Sequence, residues 1–277
     1  MALRGLAVCA LVFALAVGPA AAQRQASVDL ELVLAVDVSR SMDEEEQTLQ
    51  RDGYIQAFRH KALIQAIKAG AGGAIAVTYV EWAESANTAV PWTIISNAAE
   101  AEAFAAKLEA APLYTERRTS ISSAIEYAVQ QIDGNDITGA RRVIDISGDG
   151  PNNYGTTITQ ARDAAVAKRV TINGIPLLMN TQNQYYDLPD LDKYYRDCVI
   201  GGQGAFIMPV KTMAAFAATL RAKLVSEVAG IDPSPAPGQP LFQLAQATRV
   251  EKTDCLAGER RGYGFGPPIT VTPRITP

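Results

Sequence analysis

Three separated pieces of the chain carry oxygen-bearing side chains at spacings that could serve a single cation. The first reads Asp37-Val38-Ser39-Arg40-Ser41-Met42-Asp43, which sets a carboxylate and two hydroxyls at i, i+2 and i+4. A turn leaving a strand can aim all three oxygens at one point. The second is Thr119, in the polar run from Arg117 to Ser123, and the third is Asp149, between Gly148 and Gly150. Flanking glycines free the backbone for a tight turn. Donors that are all hard oxygens suit Mg²⁺ or Mn²⁺ better than zinc or copper. With one His and three Cys, the chain has little from which to build a soft-ligand zinc site.

Bringing such distant residues together requires a scaffold that gathers strand ends. Leu30-Glu31-Leu32-Val33-Leu34-Ala35-Val36 reads as a buried strand immediately before Asp37. Residues 43–68 are expected to form one long helix with Ser41 as its N-cap, three glutamates in its first turn and Gly53 as a possible bend. Strands are expected at 74–82 and 89–95, separated by a hairpin-length gap that implies an antiparallel edge strand. A helix over 97–110 is capped by Asn97, and another covers 120–132, placing Thr119 near its N-terminus. Further strands are expected at 142–146, 170–176 and 205–210, with helices at 157–168 and 211–228. The alternation predicts an α/β fold: a doubly wound, mostly parallel central sheet, one antiparallel edge strand, and helices on both faces. In such sheets ligands bind at the carboxyl ends of the strands, where Asp37 and Asp149 fall.

The combination Asp37, Ser39, Ser41, Thr119 and Asp149 resembles the von Willebrand factor A domain and its metal-ion-dependent adhesion site. That motif is D-x-S-x-S, then a threonine, then an aspartate at the end of the fourth strand. The resemblance covers about residues 28–230. The segment Tyr194-Tyr-Arg-Asp-Cys-Val-Ile-Gly-Gly202, with Gly204-Ala-Phe206, is similar to a bacterial secreted family with A-type domains and no established function. The resemblance implies that Ser39, Ser41 and Thr119 touch a Mg²⁺ (or Mn²⁺) directly and that Asp37 and Asp149 act largely through water. It also implies that an Asp or Glu carboxylate from a protein partner completes the octahedron.

The ends of the chain carry different information. Arg4, an apolar run from Leu6 to Val17, Gly18-Pro19 and Ala20-Ala21-Ala22 make a secretory signal peptide over 1–22. Its core is shorter than the roughly 20 residues that span a bilayer, as is every other apolar run, so the mature chain is expected to lack a membrane span and to be periplasmic or extracellular. A domain at 23–230, a proline-rich linker at 231–240 and an extension at 241–277 follow. Cys9 leaves with the signal, and an oxidising compartment then favours a Cys198–Cys255 disulfide that staples the extension to the domain. The formal net charge of −4 carries no basic footprint for nucleic acid.

Other residues have structural explanations. Asp145 lies inside a strand and reads as a buried, hydrogen-bonded carboxylate. Asp43 and Glu44 to Glu46 read as a solvated first helical turn, Trp82 beside Glu81 and Glu84 as packing, and His60 as a surface residue. Tyr185, Tyr186, Tyr194 and Tyr195 fall in a partly helical insertion over 180–204, where packing is favoured over a binding rim. The glycine-rich run 69–73 joins a helix to a strand, the wrong context for a phosphate loop. A non-enzymatic, metal-dependent binding module is therefore expected. The competing readings are a hydrolase or phosphotransferase using the Asp37 cluster, and an envelope protein with a purely stabilising metal. The phosphotransferase lacks a second carboxylate where Ser39 stands, and the serine hydrolase lacks a G-x-S-x-G elbow.

Overall fold

The computed structural model describes residues 26–179, 188–230 and 253–262. The signal segment, the linker, Cys9, Tyr185 and Tyr186 lie outside these residues. Strand β1 (Ala26–Asp37) is followed by α1 (Glu44–Arg59), α2 (Lys61–Ala69), β2 (Ile75–Trp82) and β3 (Ala86–Ile95). Then come α3 (Ala98–Ala110), α4 (Ile121–Asp133), β4 (Ile137–Gly148), α5 (Ile158–Ala167) and β5 (Thr171–Pro176). Helix α6 (Leu191–Tyr194) runs into a π-helical turn at Tyr195–Val199, and α7 (Phe216–Ala229) and α8 (Ala257–Gly262) complete the order.

The sheet order is β3-β2-β1-β4-β5. β1 pairs in parallel with both β2 and β4, β5 is parallel to β4, and β3 is antiparallel to β2. This is the expected doubly wound architecture with one antiparallel edge. Because chain order reverses on the two sides of β1, the carboxyl ends of β1 and β4 form the switch point where such sheets bind ligands. The apolar run of β1 explains its central place. Leu30, Leu32, Leu34 and Val36 enter the core beneath α1, α2, α3 and α7, while Val33 and Ala35 enter the core beneath α4, α5 and α6. A strand buried on both faces has no polar side to alternate with.

The sides of the sheet differ. β3 carries the exposed Pro91 at its centre, which has no N–H to offer a neighbour, and its pairing with β2 shifts register nearby. β5 is covered by isolated bridges from the following chain, Ile172 to Gly201, Gly174 to Ile207 and Leu177 to Val210. The strand expected at 205–210 is therefore only these bridges. Pro209 cannot donate to a ladder, so regular pairing does not develop there.

Several local expectations are corrected. The long helix breaks at His60, whose backbone is extended and whose Nδ1 accepts from Ala62 N at 3.2 Å, capping α2. His60 is thus a half-buried cap and not a plain surface residue. Gly53 does not bend α1; a Cβ there would lie 3.0 Å from Phe216 and Leu220, so glycine lets α7 pack closely. The N-cap of α1 is Asp43, not Ser41: Asp43 accepts from Glu46 N at 2.8 Å and Glu46 accepts from Asp43 N at 3.0 Å, a reciprocal capping box. Glu46 is buried by this role and does not sit in a solvated turn. The last helix is also shorter than expected, starting with a 3₁₀ turn at Met213–Ala215.

Asp145 belongs to a buried charge cluster that ties α7 to the sheet. Lys223 Nζ lies 2.5 Å from Asp145 and 3.1 Å from Glu227, and all three side chains are fully buried. Asn173 donates to Glu227 at 2.5 Å, and Lys223 also lies over the Phe206 ring. Burial pushes the Asp145 carboxyl up to about 7, with Lys223 opposing the rise and Glu227 adding to it. The folded state therefore holds this proton more tightly than the unfolded chain. The associated stability is complete at low pH and is lost as pH rises between 3.8 and about 7. Asp145→Asn is expected to remove that part of the slope, which urea unfolding at pH 5 and pH 8 in chelator will measure.

Candidate metal centre

The turn after β1 is built by its own backbone. Val38 N donates to Trp82 O at 2.9 Å, and Met42 N donates to Ser39 O at 3.0 Å. Asp37 Oδ1 accepts from Ser39 N at 2.8 Å, which folds the turn over the carboxylate. The Ser39 and Ser41 hydroxyls are 2.9 Å apart, and Ser41 Oγ donates to Asp149 Oδ1 at 2.7 Å. The first and third pieces of the sequence motif therefore meet directly. Since Asp43 caps α1, Ser41 is released for this contact.

Thr119 arrives by a different route. Glu116 N donates to Val38 O at 3.1 Å, laying the 111–119 loop along the turn, and Ser120 N donates to Ala83 O at 2.8 Å. Ser120 then caps α4, accepting from Ser123 N. Asn153 grips both backbone groups of Thr119: its Oδ1 accepts from Thr119 N, and its N donates to Thr119 O, each at 2.8 Å. The Thr119 hydroxyl comes 4.0 Å from the position a Cβ would take on Gly150, beside Asp149. It makes no hydrogen bond to Ser39 or Ser41. All five candidates thus gather at one rim, with Asp37, Ser39 and Thr119 buried and Ser41 open to solvent.

The electrostatics of the rim are unbalanced. Asp37 is fully buried, its Oδ2 has no hydrogen-bond partner among the described residues, and Asp149 faces it. Burial, and then the Asp149 charge, hold the Asp37 carboxyl well above the usual carboxylate range. A Cβ on Gly148 would lie 2.7 Å from that orphan oxygen, so glycine is what lets β4 pass so close. Two carboxylates with one orphaned, buried oxygen, set among neutral hydroxyls, fit a hard divalent cation. Among the described residues no group of three or more His, Cys, Asp and Glu is placed to hold a metal ion.

Several supporting residues carry no signal in the sequence pattern. Gln50 of α1 donates to Asp37 O at 3.0 Å and accepts from Ser147 Oγ at 2.9 Å, bridging the ends of β1 and β4. Asn152 and Asn153 follow Asp149 in a turn-rich stretch, where only their residue type hinted at side-chain bonding to backbone. Tyr194 and Tyr195 are wholly buried, as packing residues; Tyr195 nonetheless comes close, its hydroxyl 2.9 Å from the Cβ position of Gly148. Elsewhere, Glu81 forms a buried ion pair with Arg51, Trp82 is packed without exposure, and Glu84 pairs with Arg118 at 3.2 Å.

The Cys198–Cys255 disulfide is present, with a Cα–Cα distance of 5.4 Å. Among the described residues no helix is long and apolar enough to cross a membrane.

A family model described as "Protein of unknown function (DUF1194)" matches residues 27–232. No curated protein matches the chain. Among solved structures, proximal thread matrix protein 1 from the mussel byssus aligns with a TM-score of 0.55 and 12% identity, covering 74% of this chain and 49% of that one. Another structure of the mussel protein, at a TM-score of 0.52 and 14% identity over 74% of this chain and 49% of that one, is described as having a zinc-occupied MIDAS motif. A von Willebrand factor type A protein from Catenulispora acidiphila aligns with a TM-score of 0.53 and 14% identity, over 73% of this chain and 43% of that one. The vWF domain of the type V pili tip protein Mfa5 from Porphyromonas gingivalis aligns at 0.50 and 13%, over 74% of this chain and 96% of that one. The chain spans about half the length of the first of these proteins. At such identities the likeness is one of fold, and the fold is von Willebrand factor A-like.

Proposed function

The chain belongs to the DUF1194 family and has a von Willebrand factor A-like fold, and from that premise we propose that it is a secreted, metal-ion-dependent protein-binding module. The observation that carries this reading is the direct meeting of the Asp37-Ser39-Ser41 turn with Asp149 at the sheet's switch point. Ser39, Ser41 and Thr119 hold a Mg²⁺ (or Mn²⁺) by their hydroxyls, and Asp37 and Asp149 stabilise it, largely through water. When bound, the cation offers an open position to an anionic oxygen, because neutral hydroxyls leave much of its charge uncompensated. The partner supplies that oxygen from an Asp or Glu. Leu113 and Tyr114 are exposed in the loop that leads to Thr119 and give a partner apolar contact beside the metal.

The site holds no imidazole to act as a base. The chain's one histidine sits at the far end of α1, about 24 Å away along a 16-residue helix. The signal segment at 1–22 delivers the chain outside the cytoplasm, where 231–240 acts as a linker and 241–277 as an extension stapled by the disulfide. Affinity capture from an envelope extract tests the reading. The mature chain is expected to retain a protein in Mg²⁺ and release it in EDTA, and Asp37→Ala to retain none. Equal capture in EDTA overturns the metal mechanism.

A further inference from the structure

The C-terminal segment around α8 lies outside the residues that match the family, yet it reaches the loops of the metal centre. Cys255 anchors it to Cys198. Gly258 then seats flush on Asn152: a Cβ there would collide with the Asn152 carbonyl oxygen, so only glycine allows the approach. Glu259 Oε1 accepts from Asn152 Nδ2 at 3.0 Å and from Ile158 N at 3.2 Å. Ile158 N belongs to the first turn of α5, whose own N-cap residue, Thr157, makes no capping bond. A glutamate from the far end of the chain therefore caps α5 in its place.

Asn152 passes this constraint on. Its Oδ1 accepts from Ser122 N at 2.9 Å in the first turn of α4, and its N donates to the Tyr194 hydroxyl at 3.2 Å. The next residue, Asn153, grips Thr119 from both sides, and Asp149 lies three residues before Asn152 in the same turn. We propose that residues 253–260 are a clamp on the metal centre, with Glu259 as the positioning residue that fixes Thr119 and Asp149 through Asn152 and Asn153. The cysteine pair holds the clamp in place. The proposal rests on the metal reading above for its effect on affinity, while its effect on the loops stands apart from any metal.

Two measurements on the full mature chain separate these. Mn²⁺ titration of chelator-stripped protein by calorimetry is expected to give a Kd raised about 10- to 100-fold in Glu259→Ala and in Cys255→Ser, the scale of losing an outer-shell partner. Glu259→Gln, which keeps the accepting oxygen, is expected to recover most of the wild-type affinity. Hydrogen exchange in the metal-free protein is expected to be faster at the amides of Thr119, Ser122 and Asn153 in Glu259→Ala. Should Cys255→Ser not fold, Glu259→Ala carries both measurements. Lower thermal stability with unchanged Kd and unchanged exchange at those amides overturns the clamp and leaves the metal reading standing. No Mn²⁺ binding by the wild type overturns the metal reading, and exchange alone then decides the clamp: unchanged amides refute it, faster ones support it.

Discussion

Mg²⁺ at a hundred times its dissociation constant is expected to stabilise the folded wild-type chain by about 2.7 kcal/mol, and Asp37→Ala not at all. For a domain of this size that gain corresponds to a rise in melting temperature of roughly 5–10 °C. The reasoning starts from the cost of the centre without its ion. Asp37 is wholly buried, one of its oxygens is orphaned, and Asp149 repels it. Removing the carboxylate relieves that burial cost and forfeits its hydrogen bonds to the Ser39 and Asp149 segments, each worth about 1 kcal/mol. In chelator, Asp37→Ala should therefore melt close to the wild type. The two proteins separate only when the cation is added, which distinguishes a lost ligand from a damaged fold. Differential scanning calorimetry in EDTA and in Mg²⁺ makes the comparison; an equal upward shift in Asp37→Ala would place the ion elsewhere.

Lys223→Ala is expected to cost about 3–5 kcal/mol, because it leaves two buried carboxylates without their cation. The lysine stands between Asp145 on β4 and Glu227 one turn along α7, and none of the three side chains meets solvent. Truncation also leaves a void beside Phe206, where the ammonium now sits 5.0 Å from the ring centre. Asp145→Asn, by contrast, keeps the Lys223–Glu227 pair and should cost far less. Denaturant unfolding in chelator, where the metal centre contributes nothing, measures both variants. A loss below about 1 kcal/mol for Lys223→Ala would mean that water or a rearranged α7 compensates the cluster, contrary to its buried geometry.

The architecture was legible because it rests on local pattern. The unbroken apolar run before Asp37 marks a strand buried on both faces, and the short gap before β3 marks an antiparallel neighbour. Gathering at strand ends follows from topology, so the motif's placement could be argued from sequence alone. What escaped depends on competition or distance. Ser41 and Asp43 both carry capping oxygens two residues apart; only the reciprocal bond with Glu46 gives the cap to Asp43. The break at His60 has no glycine or proline to announce it. Lys223 and Glu227 have the i,i+4 spacing of a solvent-facing helix pair, and only the position of Asp145 shows that they point inward. Glu259 meets Asn152 across a separation of 107 residues, which no periodicity records.

The unequal treatment of the outermost strands restricts how this protein can engage others. Many modules recruit a peptide by letting it extend their sheet, hydrogen-bonding along an open flank. Here one flank is bridged by the chain's own residues 201–210, and the other carries Pro91 midway, where no N–H is offered. Those features also disfavour strand-to-strand polymerisation. On the proposed reading, a guest would then be met at the carboxyl-end rim, end-on and by side chains, not along the flanks by backbone.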